Sequence, residues 1–415
     1  MKPRSWAKAA VPNAASKVEA LNLNPLLIRT EAPPIPEAKA WAAAYDGSRG
    51  PLIDLSQAVP GYPPHPDMLA RLGAAAATRE AASYGDILGD AALRARYAAH
   101  VSALYRARIA PDQVAITAGC NLGFVVAMMA LAKAGDAVML PCPWYFNHKM
   151  ALDMLGIETV PIPCRAENGL VPHVADAERA LGDRVRAVVL VTPNNPTGAV
   201  YPPATIAAFH AFCAEPRITL VIDETYRDFL PSNAPPHGLF ADKSRCANLI
   251  QLYSFSKSYC IPGHRVGALV ADPEAVGEIA KILDTLQICA PRAAQLVLPW
   301  AIPALADWRA GNRAEIARRA DAFRAAMAAL EGWEIASIGA YFAYVRHPYR
   351  GRTDADICAW LTREHGVLIL PGAYFGPGQE GFLRVAFANV DAAGIAELPA
   401  RLSIGQARRA GTGKT

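Results

Sequence analysis

The chain has no C-x-x-C pair; its eight cysteines, Cys120, Cys142, Cys164, Cys213, Cys246, Cys260, Cys289 and Cys358, stand singly. That scatter excludes zinc ribbons and argues against a disulfide framework, so we expect buried thiols, no metal site and a cytoplasmic protein. Long apolar runs are missing too. The longest, LGFVVAMMALA at 122–132, is well short of the ~20 residues of a membrane helix and suits a buried helix instead. The N-terminal MKPRSWAKAAVPNAASK carries early basic residues without a continuous apolar stretch, so we expect no secretory signal. No one sign of charge dominates, because 41 Lys and Arg are interspersed with 37 Asp and Glu for a net +4. A basic stripe suited to a phosphate backbone is therefore absent, and neither nucleic acid nor membrane is an expected partner.

What is present is ample core material. In 415 residues, 53% are apolar and 19% charged, a soluble-globular balance with room for two or three domains of ~100–200 residues. Residues 1–50, with EAPPIPE, read as an arm with short ordered pieces that contributes to small-domain or dimer contacts. From about residue 66, DMLARLGAAAATREAA and DAALRARYAAHVSALYRARI repeat apolar residues at helical spacing. Seven short aliphatic runs follow, most of them separated by helical stretches: VAIT, AVML, TVPI, AVVLVT, TLVID, NLIQLY and VGALVA. This alternation predicts an α/β fold, a mainly parallel seven-stranded sheet with helices on both faces. It would form a large domain over 51–303. Residues 304–331 predict one long interdomain helix, and GAYFAYVR, VLILPG and FLRVAFA predict strands of a smaller α+β domain over 304–405, built with N-terminal residues. The tail, 406–415, ends in GTGKT, but Arg408 stands where a P-loop needs glycine. We expect a mobile, solvated tail.

In open α/β sheets ligands bind beyond the carboxyl ends of strands. Four polar segments follow the first, fourth, fifth and sixth runs: TAGCN, PNNPTG, DETY and SFSK. TAGCN opens an apolar helix, whose first N–H groups suit an anion. Asp223 ends an apolar strand, where a carboxylate is costly without a cationic partner, and Arg384 in FLRVAFA poses the converse problem. Taken singly, each has a bland reading: Asp223 a helix cap, Lys257 a surface lysine, Arg265 and Arg384 salt bridges, Tyr84, Tyr145, Tyr226 and His148 packing residues.

The set SYGDILGDAALR, TAGCN, PCPWYFNH, TPNNPTG, VIDETYRDF, SFSKSYCIPGHRVG and FLRVAFA, in that order over roughly residues 50–405, resembles fold-type I pyridoxal-phosphate (PLP) enzymes of the class I/II aminotransferase family. The resemblance implies PLP as cofactor, amino acids and 2-oxo acids as substrates, and a homodimer with shared active sites. It makes Lys257 the Schiff-base lysine and proton shuttle, Asp223 the partner of the ring nitrogen, and His148 the support of Asp223. Asn195 and Tyr226 would bond the ring's phenolic oxygen and Tyr145 would stack on the ring. Gly119, Cys120, Asn121, Ser254, Ser256 and Arg265 would hold the phosphate, with Tyr84 donated from the neighbouring subunit. Arg384 would clamp the substrate α-carboxylate, with Asn195, Ala58 and Tyr62 nearby. Ala58 departs from a common glycine, so the backbone of LSQAVPGYPPHP would approach substrate differently. Arg292 in QICAPRAAQ would sit on a loop near the partner's site, out of register with a side-chain-reading arginine, and is expected to be structural. Tyr62, Trp144 and Phe375 are expected to line an apolar pocket, tilting specificity towards aromatic or varied amino acids with glutamate and 2-oxoglutarate as counter-pair. A PLP-dependent lyase, synthase or decarboxylase shares the same lysine, aspartate and arginine, and an effector-binding domain of a transcription regulator shares the fold.

Overall fold

The seven aliphatic runs pair in one sheet in the computed structural model, which describes residues 21–215, 217–241 and 247–403. Cys246, the first twenty residues of the expected arm and the expected tail with its GTGKT ending lie outside these. The strands are β1 (Val114–Thr117), β2 (Ala137–Cys142), β3 (Glu158–Pro163), β4 (Val185–Val191), β5 (Thr219–Asp223), β6 (Leu249–Ser254) and β7 (Gly267–Val270). Their spatial order is β1-β7-β6-β5-β4-β2-β3. Only β7 runs against its neighbours, β1 and β6. Strands β1, β2, β6 and β7 are buried along their whole length, as unbroken aliphatic composition requires of strands covered on both faces. The exception, β3, carries Pro161 and Pro163 and is largely accessible, which suits its place at the sheet edge, where a missing N–H costs no ladder bond.

Alternation along the strands divides the core. Ile116, Val188, Leu220 and Tyr253 pack on one face, and Ala115, Val189, Val221 and Leu252 on the other, where the helix Cys120–Leu131 contributes Phe124, Val126 and Met128. The smaller domain has its own core around Phe323, Phe342, Leu361 and Phe387. Its antiparallel sheet, ordered β11-β12-β9-β8, comprises β8 (Glu334–Gly339), β9 (Phe342–Arg346), β11 (Leu370–Pro371) and β12 (Phe382–Val385). The strand β10 (Val367–Leu368) pairs in parallel with Ile53–Asp54, so an N-terminal segment completes this domain.

The expected helix over 304–331 is present as Ala306–Ala328, and a separate helix, Arg292–Ala304, precedes it, the two meeting at Leu305. Pro299 and Pro303 lie inside the earlier helix, where each lacks the N–H that would bond back one turn. Arg292 is the first residue of that earlier helix and not a loop residue. In the arm, Pro25–Arg29 and Ile35–Ala43 are short helices.

Candidate active site

Because β4, β5 and β6 are neighbours, PNNPTG, DETY and SFSK emerge side by side. Gly267, at the start of β7, faces Thr117 on one side and Ser254 on the other. That register carries Arg265, two residues earlier, between TAGCN and SFSK. A Cβ on Gly267 would lie 2.7 Å from the Cys120 backbone nitrogen, so only glycine lets the strand and the helix start approach this closely. The result is a cavity of about 350 Å³ lined by Cys120, Asn121, Tyr145, Asn195, Asp223, Tyr226, Ser254, Ser256, Lys257, Arg265, Arg384 and Ala58, among others.

Asp223 is buried, with the Thr225 N–H donating to Oδ1 at 2.9 Å and His148 Nε2 lying 3.3 Å from Oδ2. Burial pushes this carboxyl up, but the hydrogen bonding and attraction of His148, joined by Thr225, outweigh it and hold the group below its ordinary value. His148 lies outside the cavity wall, with its ring stacked on Phe124 at 3.9 Å and edge-on to Tyr145 at 5.1 Å. It is thereby fixed behind Asp223.

Lys257 occupies the single turn Phe255–Ser258, capped by Ser254, whose hydroxyl accepts from the Ser256 N–H at 3.2 Å. Its Nζ donates to the Ala58 carbonyl at 2.5 Å. Burial, then the Arg265 and Arg384 cations, pull this amine down to about 8. Arg384 is buried on β12, donating to the Ser56 carbonyl and, at 3.4 Å, to Asn195 Oδ1. Its Nε is buried without a partner. Burial lowers it to about 10, against the neighbouring Tyr226 and Tyr145, which leaves it charged at neutral pH.

At the other end of the cavity, Gly119 caps the helix Cys120–Leu131 with φ +88°, and a Cβ there would come within 2.2 Å of Arg265 Nη2. Glycine thus makes room for the guanidinium beside the helix N-terminus. Tyr226 is buried, and that burial raises its phenol well above the ordinary range, so it stays a hydrogen-bond donor.

Other expected residues lie elsewhere. Tyr62 sets its ring edge-on to Trp308 at 6.3 Å, with Arg319 5.7 Å from its centroid, and does not line the cavity. Neither do Trp144 and Phe375; the Phe375 ring instead lies 5.2 Å from the Arg384 guanidinium. Tyr84 is 80% exposed. Arg292 is tied to Asp90 at 3.2 Å and donates to the Glu80 carbonyl at 2.7 Å, bracing the loop that carries Tyr84. Conversely, Thr225, Gln57, Val59, Phe146, Asn147, Pro33 and Ile35 line the cavity without having been singled out. Thr225 sits within DETY and was open to discovery there; Pro33 and Ile35 carry no local chemical signal.

PLP fits these residues. The ionised Asp223 suits a protonated ring nitrogen, the helix N-terminus with two serines and Arg265 suits a phosphate dianion, and the unpartnered Arg384 Nε suits a further carboxylate.

The model of aminotransferase classes I and II matches residues 50–402. A valine–pyruvate aminotransferase of Mycobacterium tuberculosis is 30% identical over 367 residues, 87% of this chain and 94% of that protein. An aromatic aminotransferase of Arabidopsis thaliana is 28% identical over 305 residues, 72% of this chain and 76% of its own length. Substrate-bound BacF from Bacillus subtilis has the same fold, with TM-score 0.84 and 23% identity over 92% of this chain and 98% of that one. The family match over most of the chain settles the matter: this protein belongs to the class I and II aminotransferases and is a PLP-dependent aminotransferase.

Proposed function

We propose that the enzyme moves the amino group of an L-α-amino acid with an apolar side chain, aromatic or aliphatic, to a 2-oxo acid, and that Lys257 carries the proton. Bound PLP supplies an electron-accepting ring that acidifies the substrate's Cα–H bond. Lys257, with a lowered proton affinity, would take that proton and give it back, acting as base and then acid. With PLP bound, Asp223 would pair with the ring nitrogen, Tyr226 and Asn195 would hydrogen-bond the phenolic oxygen, and Tyr145 would stack on the ring. Arg384 holds the substrate α-carboxylate and so orients the Cα–H bond.

One observation carries the substrate reading. Among the described residues lining the cavity, the cations are Lys257, Arg265 and Arg384, each with a task already, while Pro33, Ile35, Val59 and Phe146 form apolar wall. A second substrate carboxylate would be costly there without a further cation. The same wall favours a monocarboxylic acceptor such as pyruvate over 2-oxoglutarate. Relatives named for aromatic and for valine–pyruvate transfer accord with this, although one named for arginine–pyruvate shows the family's range. An amino-donor panel against both acceptors tests it: phenylalanine, leucine and valine should exceed aspartate by at least about tenfold in kcat/KM. Aspartate as best donor would overturn it.

Arg384→Ala should raise KM for amino and 2-oxo acids alike by roughly 10- to 100-fold, the loss of a charge-assisted clamp. Steady-state kinetics in both directions would show it, and unchanged KM would assign the carboxylate to another group.

The exposed Tyr84, with Ile87, Leu286 and Ile288 also exposed, supports a homodimer in which Tyr84 reaches the neighbouring phosphate site; sedimentation as a monomer would refute it. A cytoplasmic location accords with seven described free cysteines, and no described helix is long and apolar enough to cross a membrane. Secretion on cell fractionation would refute that placement.

A further inference from the structure

Behind the reactive turn lies a carboxylate that the mechanism above does not use. Asp228 follows the DETY segment and is absent from the cavity wall. Its Oδ2 accepts from the Tyr253 hydroxyl at 2.6 Å and from the Ser258 hydroxyl, and these two oxygens are 2.8 Å apart. Tyr253 lies one residue before the cap Ser254, and Ser258 one residue after Lys257. The three oxygens therefore close a triangle across the base of the single helical turn that projects the lysine. An ionised carboxylate has only acceptors to offer, so both hydroxyl protons go to Oδ2 and the Tyr253–Ser258 approach is held by their shared partner without a proton of its own.

The other oxygen, Oδ1, meets Arg309 Nη1 at 3.2 Å. Arg309 stands near the start of the helix Ala306–Ala328, donates to the Ile302 carbonyl at 2.9 Å, and lies 5.2 Å from the Tyr259 ring centroid. Further along, the same helix supplies Ile316 and Phe323 to the small-domain core. Arg227 lies over the Tyr253 ring at 4.0 Å and adds positive charge from the other side. Burial pushes the Asp228 carboxyl up, but Arg309, Arg227 and the two hydroxyls prevail and bring it down to about 2. It is an acceptor throughout the working range. Of the titratable groups packed around it, His100 is also influenced by this carboxylate, and burial draws that imidazole down to about 4.

We propose that Asp228 is a positioning residue for Lys257: by clamping Ser258 to Tyr253 it fixes the turn that aims the amine, and through Arg309 it fastens that turn to the helix joining the domains. The proposal rests on Lys257 being the reacting amine. A four-residue turn has little stiffness of its own, since a helix this short is not self-supporting. The long lysine side chain magnifies any tilt of its base at Nζ, and small misplacements of a reacting group are costly in rate.

The test uses Asp228→Asn, Ser258→Ala and Ser258→Thr, with Lys257→Ala as control. Apoprotein is mixed with PLP around pH 8, imine formation is followed by absorbance and borohydride trapping, and kcat and KM are measured on the reloaded enzymes. Asp228→Asn and Ser258→Ala should each slow imine formation and lower kcat roughly tenfold, with KM within about twofold of the parent. Ser258→Thr, which keeps the hydroxyl, should stay within about twofold of the parent on both rates. Rates unchanged in folded Asp228→Asn and Ser258→Ala, or a threonine variant as impaired as the alanine one, would overturn the proposal. If Asp228→Asn fails to fold, the two Ser258 variants decide the matter alone. A Lys257→Ala protein that retains activity would remove the premise about the lysine, a failure separable from that of the clamp.

Discussion

Lys257→Ala should lower turnover by roughly 10⁴-fold, the upper part of the range for a lost acid–base group, since the residue is also proposed to hold the cofactor covalently. The environment explains why this amine is suited to both tasks. An ordinary lysine near 10.4 is neutral in only about one molecule in a few thousand at pH 7. With Lys257 drawn to about 8 by burial and by Arg265 and Arg384, the neutral fraction at pH 7 becomes about a tenth. Uptake of PLP by the apoprotein should accordingly accelerate as pH rises to about 8 and flatten above it. The stability consequence has a definite sign. The folded amine loses its proton before the unfolded one, so between about 8 and the ordinary lysine range the unfolded chain binds more protons, and the parent apoprotein gains stability with rising pH. As pH falls through about 8 that gain is lost; Lys257→Ala should show neither trend. Single-turnover kinetics and apoprotein melting across this window are the measurements, and near-parental turnover in Lys257→Ala would refute the assignment.

The parts legible in sequence were those written in contiguous residues. All seven strands of the large sheet coincide with aliphatic runs, and polar segments follow four of them, whereas the individual roles of Asp223, Asn195, Tyr226 and Lys257 rest on the resemblance of the whole motif set. Strand β8 has no such run, because EIASIG is only partly buried and has no sustained apolar signal. The two-residue pairing of Ile53 with Val367 is long-range and too short to leave a pattern. Apolar wall is harder still. Tyr62 and Phe375 have the right chemistry for a substrate pocket, but the folded chain uses them against Trp308 and Arg384. Pro33 and Ile35, from a proline-rich arm, take that place. Nor does sequence show that the carbonyls of Ser56 and Ala58 would accept from Arg384 and Lys257, since backbone acceptors are the same at every residue. The departure at Ala58 marks that segment without specifying the contact.

Asp223→Asn should be the second most damaging change. The substitution preserves shape and can keep the Thr225 N–H bond at Oδ1, but it removes the charge proposed to face the ring nitrogen. Taking away one member of a buried ion pair costs ~3–5 kcal/mol, which at ~1.4 kcal/mol per tenfold corresponds to a rate loss of roughly two to four powers of ten. The loss should fall on kcat, because the charge matters most when electrons enter the ring, and Asp223→Glu should recover part of it where the longer side chain still reaches. The carboxyl is held below its ordinary value despite burial, so it stays ionised across neutral pH. Its contribution to stability is present above the ordinary carboxylate range and is lost as pH falls through its lowered folded value. Activity lost on mild acidification near neutrality would therefore point to a group other than Asp223. His148 acts one step back: it touches the carboxylate at 3.3 Å from outside the cavity wall, so His148→Gln should cost less than Asp223→Asn in the same kcat assay. If the histidine variant proved the more damaging, the charge that governs the ring would have to be assigned to the pair as a unit, with the aspartate no longer its principal member.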